Sequence, residues 1–423
     1  MRFWAIAVVC AAVAAAAPNT TPTFNKDVLP ILEKRCQDCH RPGEAAPMAL
    51  MNYHDARPWA KAIRQAVITR KMPPWFADPS VGHFANDRSL SQDEIDTLIA
   101  WVDGGAKEGD PKDAPAPRKF VEGWNIGKPD LVLEMPNAFE IPASGTIEYQ
   151  YVIIPTGLTQ DTWVREMEVR PEARAVMHHV IVSIREPGSK WFADQQPGVV
   201  FVPKRGSGAG DGTRNGGLGG YVPGQAFAPA GTPRRATLIK AGSDVVLQLH
   251  YTTNGKATAD RTKIGLVFAK EPPVEKVVGG NSPSFRIAIP PGDPDYKIVG
   301  TSTIQNDCDL ISMMPHAHVR GKAFEYKIIR PNGETETVLR VPRYDFNWQL
   351  TYFPAKPIHL EKGTKVEVTA WYDNSPNNSY NPDPTKEVHW GEQTWEEMMM
   401  GYYSVVVTDP QKQPQTSGAA PLQ

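Results

Sequence analysis

From Asp130 onward the chain is written in short runs of β-forming residues. Leu131-Val132-Leu133, Ile147 to Ile154, Trp163 to Val169, Val176 to Ile184 and Asp244 to Tyr251 are each bounded by Pro, Gly or Asn. Lys263 to Phe268, Phe324 to Ile329, Lys365 to Trp371 and Met399 to Val407 continue the pattern. Strands at this spacing, with almost no helical periodicity between them, bury their apolar faces by packing as sandwiches or jelly rolls. The 40 prolines and 34 glycines of the chain supply the turns and exclude a helical bundle. One sandwich seldom needs about 280 residues, so the reading is two all-β domains, 130–272 and 273–410, with 411–423 as a disordered tail. The stretch Gly206 to Gly231 has no following Gly-Lys-Ser/Thr and opens no helix. It reads as a long surface loop and not as a phosphate cradle.

The residues before Asp130 differ in kind. Residues 1–17 read as a secretory signal, with Arg2 as the charge, an apolar run from Phe3 to Val13 and small residues up to Ala17. The run is too short for a comfortable membrane span, so the protein is expected to be exported, periplasmic or extracellular. Cys10 leaves with the signal. Three cysteines remain, too few for a disulfide scaffold, and Cys308 reads as a small buried hydrophobe.

Residues 18–113 read as a small all-α domain. Phe24, Val28, Leu29, Ile31 and Leu32 form an apolar face, 58–71 a second helix, and Ser91 with Glu94 a capping box before a third helix that Gly104-Gly105 closes. Within it lies Cys36-Gln37-Asp38-Cys39-His40, the pattern of c-type haem attachment. Two thiols bond covalently to the haem vinyl groups, and the adjacent histidine ligates iron. A redox disulfide would need a βαβ context, and a zinc site a second cysteine pair; the chain offers neither. Met72, held beside Pro73-Pro74, is the expected sixth iron ligand, in competition with Met48, Met51, His54 and His83. The stretch resembles class I c-type cytochrome domains through Cys36, Cys39, His40 and Met72. Residues 114–129, with Pro115 and Pro117, read as a linker.

In the β region the histidines carry the chemistry. His316 and His318 follow an apolar run, and period-two alternation puts both on one face, as a bidentate clamp suited to copper, zinc, iron or nickel. His178 and His179 are adjacent. They can reach one metal only where the strand is irregular. His250 ends the alternating strand Leu247-Gln248-Leu249-His250-Tyr251. Glu396-Glu397-Met398-Met399-Met400 adds thioethers, soft ligands that favour Cu(I). The residues alone thus give one candidate site of three imidazoles and another of two imidazoles and a sulfur.

The order His-His, Gln-x-His-Tyr, His-x-His, Glu-Met resembles the copper type II, ascorbate-dependent monooxygenases, over residues from about 130 to 410. The resemblance implies two copper ions. His178, His179 and His250 would hold the electron-storing copper, and His316, His318 and Met398 the copper where oxygen and substrate react. Met398 is preferred to Met399 and Met400 because it follows the acidic pair. The family's animal members carry disulfides that this chain lacks. Its peptide-amidating member has an arginine two residues before His-x-His, where this chain has Met314, so a peptidylglycine substrate is not expected.

These readings combine into an exported haem- and copper-containing monooxygenase that hydroxylates a C–H bond of a small molecule with O2. Electrons would arrive through the cytochrome domain from a cytochrome, a quinol enzyme or an ascorbate-like reductant. The alternative is a non-catalytic electron-transfer or copper-handling protein. With a net charge of −2 and no basic run, no nucleic-acid partner is expected.

Overall fold

The computed structural model describes residues 21–204, 214–224, 235–271, 273 and 275–408. The expected signal with Cys10, the expected tail and much of the glycine-rich stretch lie outside the described residues. Among the described residues, no helix is long and apolar enough to cross a membrane. The chain divides into two compact units: residues 1–37, 49–72 and 90–117 form one, and residues 38–48, 73–89 and 118–423 the other. The units are therefore not contiguous stretches, because two segments from within 18–113 group with the β-rich unit.

The smaller unit is helical. A π-turn, Phe24–Val28, leads into α1 (Leu29–Arg35). α2 (Tyr53–Ala56) and α3 (Ala60–Ile68) are separated by a 3-10 turn. α3 stops at Ile68, short of residue 71, and Arg70 takes a left-handed backbone with φ of 51°. α4 (Gln92–Asp103) begins with both halves of the capping box: Ser91 accepts the Glu94 amide, and the Glu94 carboxylate accepts the Ser91 amide. Such a cap contributes about 1 kcal/mol. Phe24, Val28, Leu32, Leu98 and Trp101 are fully buried, and the Phe24 ring meets Tyr53 edge-on at 5.6 Å.

The larger unit holds twenty described strands, numbered here in chain order. Its first sandwich sets β1 (Leu131–Glu134), β10 (Lys263–Phe268), β4 (Thr162–Arg170) and β7 (Arg235–Ile239) on one side. β3 (Gln150–Pro155), β8 (Asp244–Tyr251), β5 (Met177–Arg185) and β6 (Arg214–Tyr221) form the other, and β2 (Phe139–Ile141) pairs with β9 (Thr258–Asp260). The second sandwich has β11 (Glu275–Ser284), β20 (Met399–Thr408), β14 (Cys308–His316) and β17 (Ile358–Leu360) on one side. Opposite lie β13 (Tyr296–Thr303), β18 (Lys365–Tyr372), β15 (Gly321–Ile329) and β16 (Thr335–Val341), with β12 (Ala288–Ile289) paired to β19 (Val388–His389). A short parallel pairing of β7 with β11 joins one sheet of each sandwich into a single eight-stranded sheet. The Arg235–Glu275 ion pair, 2.7 Å, lies at that seam.

Each sandwich has its own core. Val152, Val180, Val182, Leu247, Leu249, Ile264 and Leu266 fill the first, and Leu310, Met313, Phe324, Tyr326, Val366, Val368 and Met399 the second. Cys308 belongs to the second core and is buried. Trp75, Phe76 and Phe84, from the segment Pro73–Ser89, also pack there.

β6 corrects the sequence reading of Gly206 to Gly231 as loop throughout. Arg214–Tyr221 pairs antiparallel with β5 although it holds no run of β-formers. Close approach explains the glycines: a Cβ on Gly220 would lie 2.3 Å from the Val180 carbonyl oxygen. Gly220→Ala should therefore destabilise the protein by roughly 1–3 kcal/mol through overpacking, read as a lower urea midpoint at unchanged slope. The strand expected from Ile147 instead begins its regular pairing at Gln150. Tyr149 is thereby left just outside the ladder.

Candidate metal centre

β5 and β8 run antiparallel, with Met177 across from Tyr251 and His179 across from His250. The register slips between Met177 and His179, so His178 occupies a bulge. This irregularity lets two adjacent histidines face one point. The Nδ1 of His178 lies 3.2 Å from that of His179 and 3.1 Å from that of His250. All three rings are buried. The edges of a tetrahedron around a metal with bonds of 2.0–2.1 Å measure about 3.3 Å, so the spacing fits three ligands of one ion.

The tautomers fit as well. His179 Nε2–H donates to Gln248 Oε1 at 3.3 Å, and the Gln248 amide donates in turn to the Tyr151 hydroxyl. The lone pair of His179 is thus left on Nδ1. Thr394 Oγ1 lies 3.5 Å from His250 Nε2. His178 Nδ1 stands between the Nδ1 atoms of His179 and His250, and its Nε2 is buried without a hydrogen-bond partner among the described residues.

The second group sits where β14 ends. His316 Nδ1–H donates to Gln349 Oε1 at 2.6 Å, and His318 Nδ1–H donates to the Glu396 carbonyl at 3.1 Å. Both rings therefore keep Nε2 as the free ligand atom. His318 Nε2 is buried without a hydrogen-bond partner among the described residues. Such an orphaned acceptor needs an explanation, and a metal ion supplies one. The two rings lie 5.4 Å apart, centre to centre. His316 is 6.5 Å from His179 by the same measure, so the two histidine groups are close neighbours.

Strand alternation sorts the methionines. His316 stands across from Met400, and Met313 across from Tyr403. Met313, Met399 and Tyr403 all belong to the core of the sandwich. Met399 therefore points away from the His316 face. Met400, and Met398 one residue before the strand, share that face by the same period. Met400 Sδ accepts a hydrogen bond from Asn281 Nδ2 at 3.6 Å, and Met398 is half-buried.

Burial holds all five imidazoles in their neutral, ligand-competent form. It lowers His178 and His316 to about 4 and His318 to about 3. His179 and His250 lie well below the ordinary value, for the same reason first and through their imidazole neighbours second.

Several residues that build the site were not singled out from the sequence. Tyr149 presents its ring to His250 at 4.5 Å, His179 at 5.3 Å and His318 at 6.2 Å. Phe346 stacks on His178 at 4.5 Å. Gln349 fixes His316. Beneath His318, the Glu397 carboxylate accepts the backbone amides of His318 (2.8 Å), Arg320 (2.7 Å) and Met398 (3.1 Å). Of the supporting residues, Gln248, Glu396 and Glu397 lay inside quoted motifs. Gln349→Leu should release the His316 ring and weaken metal binding there by about 10–100-fold, read by titration with a copper chelator. His178, His179 and His250 should be unaffected.

The residues read from the sequence as haem ligands divide between the units. Cys36 closes α1 of the helical unit, and half-buried Met72 ends a segment of that unit. Cys39, His40 and Met48 belong to the β-rich unit. Neither Cys36 nor Cys39 is in a disulfide, and burial pushes the Cys39 thiol up. His40 Nδ1–H donates to the Met48 carbonyl at 3.2 Å, which leaves Nε2 available to a metal. Met48 is thereby engaged through its backbone. His83 and His54 are exposed, and the His83 carbonyl accepts the Ala355 amide.

Residues 279–410 match the family described as copper type II ascorbate-dependent monooxygenase, C-terminal domain. The match spans the second sandwich, with His316, His318 and the three methionines inside it. No curated protein matches the chain. Among solved structures, infectious bursal disease virus Gx strain aligns at 9% identity over 67% of this chain and 73% of that one, with a TM-score of 0.20. The STIV MCP aligns at 11% identity over 58% and 94%, with a TM-score of 0.19. Likenesses this slight carry no argument about the fold.

Proposed function

We propose that the protein is an exported copper monooxygenase that hydroxylates a C–H bond of a small molecule with O2. The observation that carries this reading is the pair of buried imidazole groups, tautomers set by Gln248, Gln349 and the Glu396 carbonyl, within a region whose second half matches the copper family. His178, His179 and His250 would hold one copper, and His316, His318 and Met398 the other. Bound copper supplies one-electron chemistry and a site for O2.

The chain's own residues do the rest. Burial keeps water from the imidazoles, and the hydrogen bonds to Nδ1 of His316 and His318 hold both rings in the orientation that offers Nε2. A cleft of about 430 Å³ lined by Glu148, Val202, Trp390, Gln393, Trp395 and Glu396 reaches the residue whose carbonyl holds His318, and offers a small substrate a way in.

Hydroxylation of R–H to R–OH by O2, with release of water, consumes two electrons and two protons. A haem c on Cys36 and Cys39, ligated by His40 and Met72, would deliver the electrons, supplied by a cytochrome, quinol enzyme or ascorbate-like reductant. Two cysteines outside any disulfide and a His40 whose Nδ1 is held by the Met48 carbonyl are the residue types such a group needs.

Metal analysis and electron paramagnetic resonance on protein matured in a haem-attaching host test this reading. One haem and two type 2 coppers per chain, with one copper lost in His316→Ala and in Met398→Ala, are the expected result. A haem with no stoichiometric copper would overturn it. Oxygen uptake that depends on a C–H substrate separates the enzyme from a copper-handling protein.

A further inference from the structure

We propose that the segment Tyr344–Leu350 carries electrons to the copper sites, and that Trp348 receives them from a haem bonded through Cys39. The inference rests on the haem-and-copper reading above. One segment touches both histidine groups. Gln349 Oε1 accepts from His316 at 2.6 Å, and Phe346 stacks on His178 at 4.5 Å. The Tyr344 hydroxyl accepts the Ala317 amide at 3.2 Å and donates to the Ala317 carbonyl at 2.8 Å, between His316 and His318.

Trp348 reaches toward the haem motif. A Cβ placed on Gly224 would lie 3.5 Å from the Trp348 ring and 3.6 Å from Cys39 Sγ. Indole and thiol thus both border the space beside Gly224, where the Arg88 guanidinium also lies, 3.2 Å from the same position. The Cys39 segment is anchored in this position. Glu44 pairs with Arg174, and Asp38 with Arg118 at 2.6 Å.

Electronic coupling decays more slowly along covalent and hydrogen bonds than through empty space. From Cys39 the route has one through-space jump to the Trp348 ring, then the chain to Gln349 and a 2.6 Å hydrogen bond into His316. Phe346 gives a branch to His178. In each transfer a bound ferrous haem would give up one electron and become ferric, and a bound Cu(II) would take it up and become Cu(I). No bond forms or breaks, no proton moves, and Trp348 is never itself oxidised.

The test uses the full chain with haem and copper bound. A photoreduced deazaflavin delivers one electron to the haem, and haem reoxidation is followed with the loss of the Cu(II) signal. Trp348→Ala and Trp348→Leu should slow haem-to-copper transfer by an order of magnitude or more, while Trp348→Phe keeps most of the rate. Haem and copper contents, and direct copper reduction by excess dithionite, should be unchanged, which a loosened fold would not allow. If Trp348→Ala does not fold, Trp348→Leu, which keeps apolar bulk, decides. Transfer at the native rate in either variant would overturn the proposal. Haem present but never oxidised by copper would overturn the relay alone. Absence of haem from the native protein would overturn it together with the reading it rests on.

Discussion

The metal-free protein is expected to unfold when acidified from about pH 7 to about pH 5, well above the range where carboxylates titrate. The cause is the set of five buried histidines. In the unfolded chain each takes a proton near pH 6.5. In the folded chain burial holds His178 and His316 at about 4 and His318 at about 3, with His179 and His250 also well below the ordinary value. A depressed histidine pKa means the unfolded state binds more protons as pH falls. The stability it contributes is therefore complete above pH 6.5 and is lost on the way down. Each group loses about 1.4 kcal/mol per pH unit, so five lose about 10 kcal/mol by pH 5.

Glu397 works in the opposite sense. Burial raises it to about 7 against the amide hydrogen bonds it accepts, so the folded state gains a proton first and recovers about 2–3 kcal/mol over the same interval. The net loss of about 7 kcal/mol is comparable with the whole stability of an ordinary domain, about 5–15 kcal/mol. Circular dichroism against pH in the presence of a chelator measures it. Copper loading should move the transition to lower pH and couple it to metal release, since protons and metal compete for the same lone pairs. A chelated sample whose urea midpoint is the same at pH 5 and pH 7 would show that the histidines are not neutral and buried together.

That His178, His179 and His250 would form one group was legible because their residue type is rare and their spacing is chemical. His178-His179 even announced its own bulge: adjacent residues cannot share a face on a regular strand, and the register slips at that point. The supports of the site histidines were not legible. Gln349 meets His316 across 33 residues and Glu397 meets the His318 amide across 79. Glutamine and glutamate are common, and nothing local marks one that will be buried. The three consecutive methionines could be sorted only once pairing showed which face of β20 meets the core. β6 was hidden for a different reason. Strand propensity expresses side-chain packing, and a strand whose glycines admit a neighbouring backbone carries no such signal. Cys36-Gln37-Asp38-Cys39-His40 stands out as a motif in five residues, whereas the division of its flanking segments between two units depends on contacts no local pattern encodes.

Glu397→Leu is expected to be among the most damaging single substitutions outside the metal ligands. The carboxylate is fully buried and takes three backbone amides, those of His318, Arg320 and Met398. Arg320, 2% exposed, is held from the other side: Nε donates to Asn374 Oδ1 at 2.9 Å and Nη1 to the Trp395 carbonyl at 2.9 Å. Leucine would leave three amides without acceptors and the Arg320 guanidinium without one of the two carboxylates, Glu397 and Asp383, that attract it. Each buried amide left without an acceptor costs about 1–3 kcal/mol. Urea denaturation of the metal-free protein at neutral pH should show that loss. The amide of His318 is fixed by this carboxylate, so copper at His316 and His318 should also bind more weakly, while copper at His178, His179 and His250 is retained. Arg320→Met combined with Glu397→Leu should recover part of the stability, since the guanidinium that lost a carboxylate is then gone. It should not recover the copper affinity, since the His318 amide is still unheld. A Glu397→Leu protein within 1 kcal/mol of the native stability, a gap typical of surface changes, would mean that water reaches this carboxylate and that the turn bearing His318 is held by something else.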